Sequence, residues 1–203
     1  MRAKSITPIV LLALATIAAC AGCRQHNATD DSHIPRRHGY PRINLYDADY
    51  RITDVANVSF LINTGAQIAL TDSFTESTGT WFNITYPRYG AVIHCTITQA
   101  PTQKLEAIID NRAERMALNT GGAYTEVTDF EPQAGHEITA QMLVTPAESV
   151  TPLQFLASDG KHTVISGSMT FRTNAHTQPD SVAPIIAAIR DDLTTMLNSL
   201  SIK

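Results

Sequence analysis

The chain has 203 residues, 43% of them hydrophobic and 17% charged, with a formal net charge of −4. That length suits one well-buried domain, and the mildly acidic balance excludes the basic footprint that nucleic-acid binding requires. Three cysteines, Cys20, Cys23 and Cys95, are too few for a disulfide framework.

In chain order, the first forty residues carry a targeting signal. Arg2 and Lys4 give a basic start, and Ile9 to Ala19 is apolar apart from Thr16. Spanning a bilayer takes about 20 apolar residues, so the run is too short for that and reads as a signal peptide over residues 1–19. It ends in Ile17-Ala18-Ala19-Cys20, a pattern similar to the bacterial lipobox, in which the cysteine thiol receives a diacylglyceryl group and the freed amine is acylated. Cys23 is the rival acceptor, but Cys20 stands where an aliphatic residue is preferred upstream of it. A redox or metal-binding C-x-x-C is a further reading; such motifs follow a strand inside a folded domain, not a targeting segment.

Cleavage before Cys20 leaves 184 of the 203 residues and removes Arg2 and Lys4, which takes the formal charge from −4 to −6. Residues 20–36 then form a lipid-anchored polar tether with no apolar periodicity, and the sixteen flexible residues after the anchor, Ala21 to Arg36, typically span about 20–25 Å. Residues 37–203 are expected to form a single globular domain held close to a membrane.

Pro35 to Leu45 reads as extended. Val58–Ile62 and Gln67–Leu70 are strand-like, and Asn63-Thr64-Gly65 between them is hairpin-like. Thr80–Tyr86 alternates, Pro87-Arg88-Tyr89-Gly90 turns the chain, and Ala91–Thr98 continues an antiparallel meander. On that last strand Cys95 shares a face with Ala91, Ile93 and Ile97, as a small buried hydrophobe, and His94 points the other way. Leu105, Ile108, Ile109, Arg112 and Met116 fall at helical spacing, and Gly121 or Gly122 supplies a left-handed cap. Four strand-like stretches follow, Tyr124–Phe130, Glu137–Thr145, Thr151–Ser158 and His162–Arg172, with Asp159-Gly160 as a hairpin turn.

The last element has the strongest period. Val182, Ile185, Ile186, Ile189, Leu193, Met196, Leu197 and Leu200 recur at i, i+3, i+4 and i+7. Asp180 or Ser181 caps its start, with Asp180 preferred, and Pro184 is placed in the first turn. Two helices with one apolar stripe each should pack on sheet faces. The expected class is therefore α+β, an antiparallel sheet with two packed helices in a layered sandwich, similar in element order to the Mog1/PsbP-like fold. Element order alone carries no function.

Local markers of catalysis are missing from the sequence. Ser168 lies in "SGSMT", which is not G-x-S-x-G and sits within a strand. Neither a phosphate-cradling loop nor a dinucleotide fingerprint occurs. His33 and His38 lack neighbouring ligands for a metal, and His136-Glu137 is not H-E-x-x-H. Asp47 and Asp49 on an extended segment read as solvent-facing. None of His94, His136, His162 and His176 is expected to join a Ser or Cys and a carboxylate in a cleft. No enzyme, cofactor or metal is expected, and a binding or scaffolding module fits better.

Three stretches together carry a resemblance. "PRRHGYPRINL" (Pro35–Leu45) resembles the P-x-x-x-G-Y-x-R opening of mature GldD proteins, the gliding-motility lipoproteins of the Bacteroidota. "WFNITYPRYGAVIH" (Trp81–His94) resembles their Trp-aromatic-Asn…Tyr-Pro strand and turn. "ISGSMTF" (Ile165–Phe171) followed by "DSVAPIIAAIRDDLTTML" (Asp180–Leu197) resembles their final strand and capped helix. Many members carry a cysteine before the Trp-aromatic pair and another upstream; here those places hold Thr80 and, approximately, Asn57.

The resemblance implies a lipid-anchored protein on the periplasmic side of the outer membrane, needed for surface gliding and linked to type IX secretion. Other gliding or secretion envelope proteins are its implied partners. Members also occur in bacteria that do not glide, so secretion or another envelope task is a second implied duty. A small-ligand-binding or chaperone-like periplasmic lipoprotein is the alternative. Gly39, Tyr40 and Arg42, with Tyr86, Pro87 and Arg88, carry the resemblance without following a core period, and are the candidate partner-binding residues; closing a sheet edge is an equal reading of Tyr40 and Tyr86. Asp180-Ser181-Val182 resembles the Asp-Ser/Thr-aliphatic acceptor for O-glycosylation in the Bacteroidota, which makes Ser181 a candidate glycan site.

Overall fold

The computed structural model describes residues 43–71, 79–123, 125–130, 137–147, 149–172 and 179–203, with side chains of the last stretch from Val182 onward. The expectations for Cys20, Cys23, His33, His38, Gly39, Tyr40, Arg42, His136 and His176 therefore lie outside the described residues.

The first strands are β1 (Tyr50–Val55), β2 (Val58–Asn63), β3 (Gln67–Leu70), β4 (Gly79–Tyr86) and β5 (Ala91–Gln99). Helix α1 (Thr102–Asn119) follows. Next come β6 (Glu126–Phe130), β7 (Thr139–Val144), β8 (Leu153–Ser158) and β9 (Thr163–Phe171), then α2 (Pro179–Asn198) and a two-residue β10 (Ser201–Ile202). All pairings are antiparallel. The strands form a seven-stranded sheet in the order β3-β4-β5-β9-β8-β7-β6 and a three-stranded sheet in the order β1-β2-β10. This is an α+β fold with packed helices.

One expected pairing is corrected. β2 and β3 do not form a hairpin across Asn63-Thr64-Gly65; they belong to different sheets. β2 is the central strand of the small sheet, so β1 and β10 already occupy both its edges. The turn is instead a corner between sheets, closed by Ala66 N donating to the Asn63 carbonyl at 3.0 Å. Arg51 braces it by donating to the carbonyls of Thr64 (3.0 Å) and Ala66 (2.9 Å). The real hairpin, β1–β2, turns through Ala56-Asn57, where Ala56 takes a left-handed φ of 52°. An alanine there gives no turn signal, so β1 was not legible as a strand.

The helices cover opposite faces of the large sheet. Along β7, β8 and β9, Leu143, Leu156 and Val164 pack with Leu105 and Met116 of α1. Their sequence neighbours Met142, Phe155, Ala157 and Ile165 point the other way. There they join α2 and the inward residues Val58, Phe60 and Ile62 of β2. Strand alternation thus builds two cores on two sides of one sheet. All of Val182, Ile185, Ile186, Ile189, Leu193, Met196, Leu197 and Leu200 are buried, as the helical spacing predicts. Cys95 is buried, and its desolvated thiol is pushed well above its ordinary pKa. Gly167 is required by packing: a Cβ there would overlap the Phe155 ring of β8.

The start of α2 also differs from expectation. The helix begins at Pro179, which puts Asp180 and Ser181 inside its first turn and Pro184 in the second. A proline there withholds the N–H that would bond the carbonyl four residues back. Gly121 and Gly122, after α1, both take positive φ (61° and 78°).

Candidate partner-binding site

The site is built on the β4–β5 turn. β4 sends Phe82, Ile84 and Tyr86 inward, so Tyr86 is only 2% exposed. Pro87 then starts a single 3-10 turn, with its fixed φ suited to that position. Gly90 ends the turn in the left-handed region (φ 62°), with its N–H bonded to the Pro87 carbonyl. Tyr89 folds back and is buried, which leaves Pro87 and Arg88 exposed.

Segment 43–49 crosses this turn, and Tyr46 is its anchor. Its ring lies 4.8 Å from that of Tyr89 and 6.5 Å from that of Tyr86, and the Tyr86 and Tyr89 rings stack at 5.9 Å. Tyr46 N donates to the Tyr89 hydroxyl at 2.5 Å, and Arg88 N donates to the Tyr46 hydroxyl at 3.1 Å. The Arg88 guanidinium sits over the Tyr46 ring, 4.2 Å from its centroid, and Nη1 donates to the Leu45 carbonyl at 3.2 Å. A flexible surface arginine is thereby held in one place by a cation–π contact and a hydrogen bond. Leu45 beside it is 44% exposed. Beneath Tyr46 lies Gly65, where a Cβ would stand well inside van der Waals contact with the ring. Only glycine admits the tyrosine at that position.

A buried carboxylate braces the turn from below. Asp192 of α2 is 8% exposed; its Oδ1 accepts from the Tyr50 hydroxyl (2.9 Å) and from Asn63 Nδ2 (3.1 Å). Tyr86 hydrogen-bonds the same carboxylate. Asn63 also donates to the Asp47 carbonyl at 3.0 Å and accepts from Gly65 N at 2.8 Å. One amide therefore ties segment 43–49, the corner after β2 and α2 together. The β1–β2 register pairs Tyr50 with Asn63 and so presents both donors to the carboxylate. Burial raises the Asp192 carboxyl pKa, against the pull of the bonds from Tyr50, Asn63 and Tyr86. Burial, and next the charge of Asp192, hold the Tyr86 phenol well above its ordinary pKa.

Of the sequence candidates, the structure brings Tyr86, Pro87 and Arg88 into one turn, with Tyr86 as support and the other two exposed. Ser181 falls in the first turn of α2, with its side chain outside those described. Tyr89 lay in the expected turn, whereas Tyr46, Asn63 and Asp192 were not anticipated as parts of the site. The one usable signal was Asp192, a charge at the spacing of the α2 apolar stripe, three residues after Ile189 and four before Met196.

The histidines behave differently from one another. His94 faces away from Cys95, its Nδ1 2.9 Å from Asn83 Oδ1 and its Nε2 3.1 Å from Thr170 Oγ1. His162 is exposed, and its N–H donates to Asp159 Oδ1 at 2.9 Å. Asp47 and Asp49 are exposed. No group of three or more His, Cys, Asp or Glu poised to hold a metal occurs among the described residues.

Fold and site together define a two-sheet α+β protein whose most organised surface feature is a braced turn carrying a fixed arginine. The family model described as gliding motility lipoprotein GldD matches residues 30–202, and the chain belongs to that family. A search of curated proteins finds no match. Membership brings a role in gliding motility, lipid-anchored envelope localisation and involvement with the gliding machinery. No helix among the described residues is long and apolar enough to cross a membrane.

Proposed function

We propose that the protein is a non-enzymatic adaptor or assembly factor for gliding motility, for type IX secretion, or for both. In this reading residues 1–19 are removed and Cys20 is acylated. Two or more chains hold a protein stably on a membrane, and residues 20–36 then tether a single domain, 37–203, on the periplasmic side of the outer membrane. Its partners are other envelope proteins of the gliding or secretion apparatus. The partner surface is centred on Arg88 and Pro87, with Tyr86 as support; Gly39, Tyr40 and Arg42 are further candidate partner-binding residues on the strength of the sequence resemblance alone.

The observation that carries the reading is the immobilisation of Arg88. A cation fixed over Tyr46 and hydrogen-bonded to Leu45 gives up little further conformational entropy on docking, which favours its use as an interface anchor. The test is complementation of a gene deletion with Arg88→Ala and, separately, Arg42→Ala, scoring colony spreading and secreted cargo together. The expected result is a loss of function with the protein still folded and abundant. Loss of folding in both variants would return these residues to a purely structural role.

A further inference from the structure

A second organised place lies on the other side of the large sheet. Helix α1 covers only part of that outer face, and beside it runs a groove of about 250 Å³. From the helix, Arg112 and Arg115 line it; at three residues apart they share one helix face. The sheet supplies His94 and Thr96 of β5 with Ser166 and Ser168 of β9. Register makes these a block, since His94 lies opposite Ser168 and Thr96 opposite Ser166. His94 is held by Asn83 and Thr170. The floor is also rigid: buried Gln154 donates to the Met116 carbonyl at 3.1 Å and accepts from Asn119 Nδ2 at 3.2 Å, which fastens the end of α1 to β8.

Among the described residues the arginines have no counter-ion. Neither guanidinium has a hydrogen bond or ion pair among the described residues, and no carboxylate lines the groove. Partial burial, and next the neighbouring charge of Arg115, lower the Arg112 pKa. Two guanidinium forks and three hydroxyls offer more donors than the two oxygens of a carboxylate can accept. A tetrahedral oxyanion can use them.

We propose that the groove between α1 and the outer face of β5 and β9 binds a phosphate group, with Arg112 and Arg115 as its charged ligands and Thr96, Ser166 and Ser168 as hydroxyl donors. The group is either free phosphate or the phosphate of a lipid headgroup, since the donor set reads the same chemistry in both.

The test uses the full chain with Cys20→Ser, so that no acyl group contributes to membrane binding. Inorganic phosphate is titrated while amide shifts at His94, Arg112, Ser166 and Ser168 are followed, with acetate in parallel. Saturable shifts with phosphate, weakened about tenfold by Arg112→Gln or Arg115→Gln, support the site, as expected for charge-assisted bonds. Circular dichroism checks that both variants fold, and two independent arginines guard against the failure of either. Absence of saturation, binding untouched by both substitutions, or acetate binding as tightly as phosphate would each overturn the proposal. A second arm uses phosphatidylcholine vesicles with and without phosphatidic acid. Arginine-dependent binding to the phosphatidic acid vesicles, displaced by inorganic phosphate, supports a lipid headgroup; phosphate binding without vesicle binding supports a soluble phosphate.

Discussion

Asp192 offers the sharpest test of how the exposed turn is held. Replacing it with alanine removes the acceptor for Tyr50, Asn63 and Tyr86 at once. Tyr50 is partly exposed and can turn to water, whereas the Tyr86 hydroxyl and the Asn63 N–H not bonded to the Asp47 carbonyl are buried and cannot. A buried donor left without a partner costs about 1–3 kcal/mol. Two such donors, offset by release of a desolvated carboxylate, give a net loss of about 2–4 kcal/mol for Asp192→Ala. In a chain of this size that lowers Tm by about 5–15 °C. Asp192→Asn keeps an oxygen acceptor and removes the buried charge, so it should stay within about 1 kcal/mol of wild type at neutral pH.

The pH dependence of Asp192 has a definite sign. Its folded-state pKa is raised, chiefly by burial, so the folded protein holds this proton more tightly than the unfolded chain. Its contribution is therefore most favourable below the ordinary carboxylate range and declines as pH rises through the raised value. The stability of Asp192→Asn relative to wild type should improve over that same rise and level off above it. Thermal unfolding by circular dichroism from about pH 4 to about pH 8 covers the window. An Asp192→Ala melting within about 2 °C of wild type, or an Asn variant as damaged as the Ala variant, would refute the reasoning.

Gly65→Ala should cost about 1–3 kcal/mol in urea unfolding, because the new methyl competes with the Tyr46 ring for space, and Tyr46 ring resonances should shift with it. Mass spectrometry of the mature N-terminal peptide should find Cys20 acylated and residues 1–19 removed; a lipid on Cys23 with Cys20 missing would contradict this. Intact masses of wild type and Ser181→Ala from the native host should differ by a glycan plus one oxygen if Ser181 is modified, and by one oxygen alone if it is not.

The two helices were legible because one-sided burial writes its period into the sequence, whereas β8 is buried on both faces and was marked as a strand by the turns that bound it. Every apolar position of the α2 stripe is buried, and the four stretches after α1 became β6 to β9 in order. The alternation Phe82, Ile84, Tyr86 likewise placed Tyr86 inside. What failed was pairing, which depends on partners distant in sequence. Val58–Ile62 and Gln67–Leu70 both read correctly as strands, but nothing local says that β2 has its second edge taken by Ser201 and Ile202 of β10. A two-residue strand after the final helix has no period to detect.

The site was half legible for a related reason. Pro87-Arg88-Tyr89-Gly90 announced a turn, since proline presets one φ and glycine accepts the opposite one. What makes that turn more than a connection is assembled from three remote segments, which contribute Tyr46, the pair Asn63 and Gly65, and Asp192. Each has an unremarkable local context except Asp192, whose charge interrupts an otherwise apolar stripe. A carboxylate on the buried face of a helix must meet donors supplied by other elements, because leaving it unpaired costs several kcal/mol. That requirement points from α2 back to the strands that must lie over it, and the first of those, β1, was the one the sequence concealed. Locating a partner for Asp192 would therefore have predicted that a tyrosine- or asparagine-bearing strand packs on α2, as β1 and β2 do through Tyr50 and Asn63.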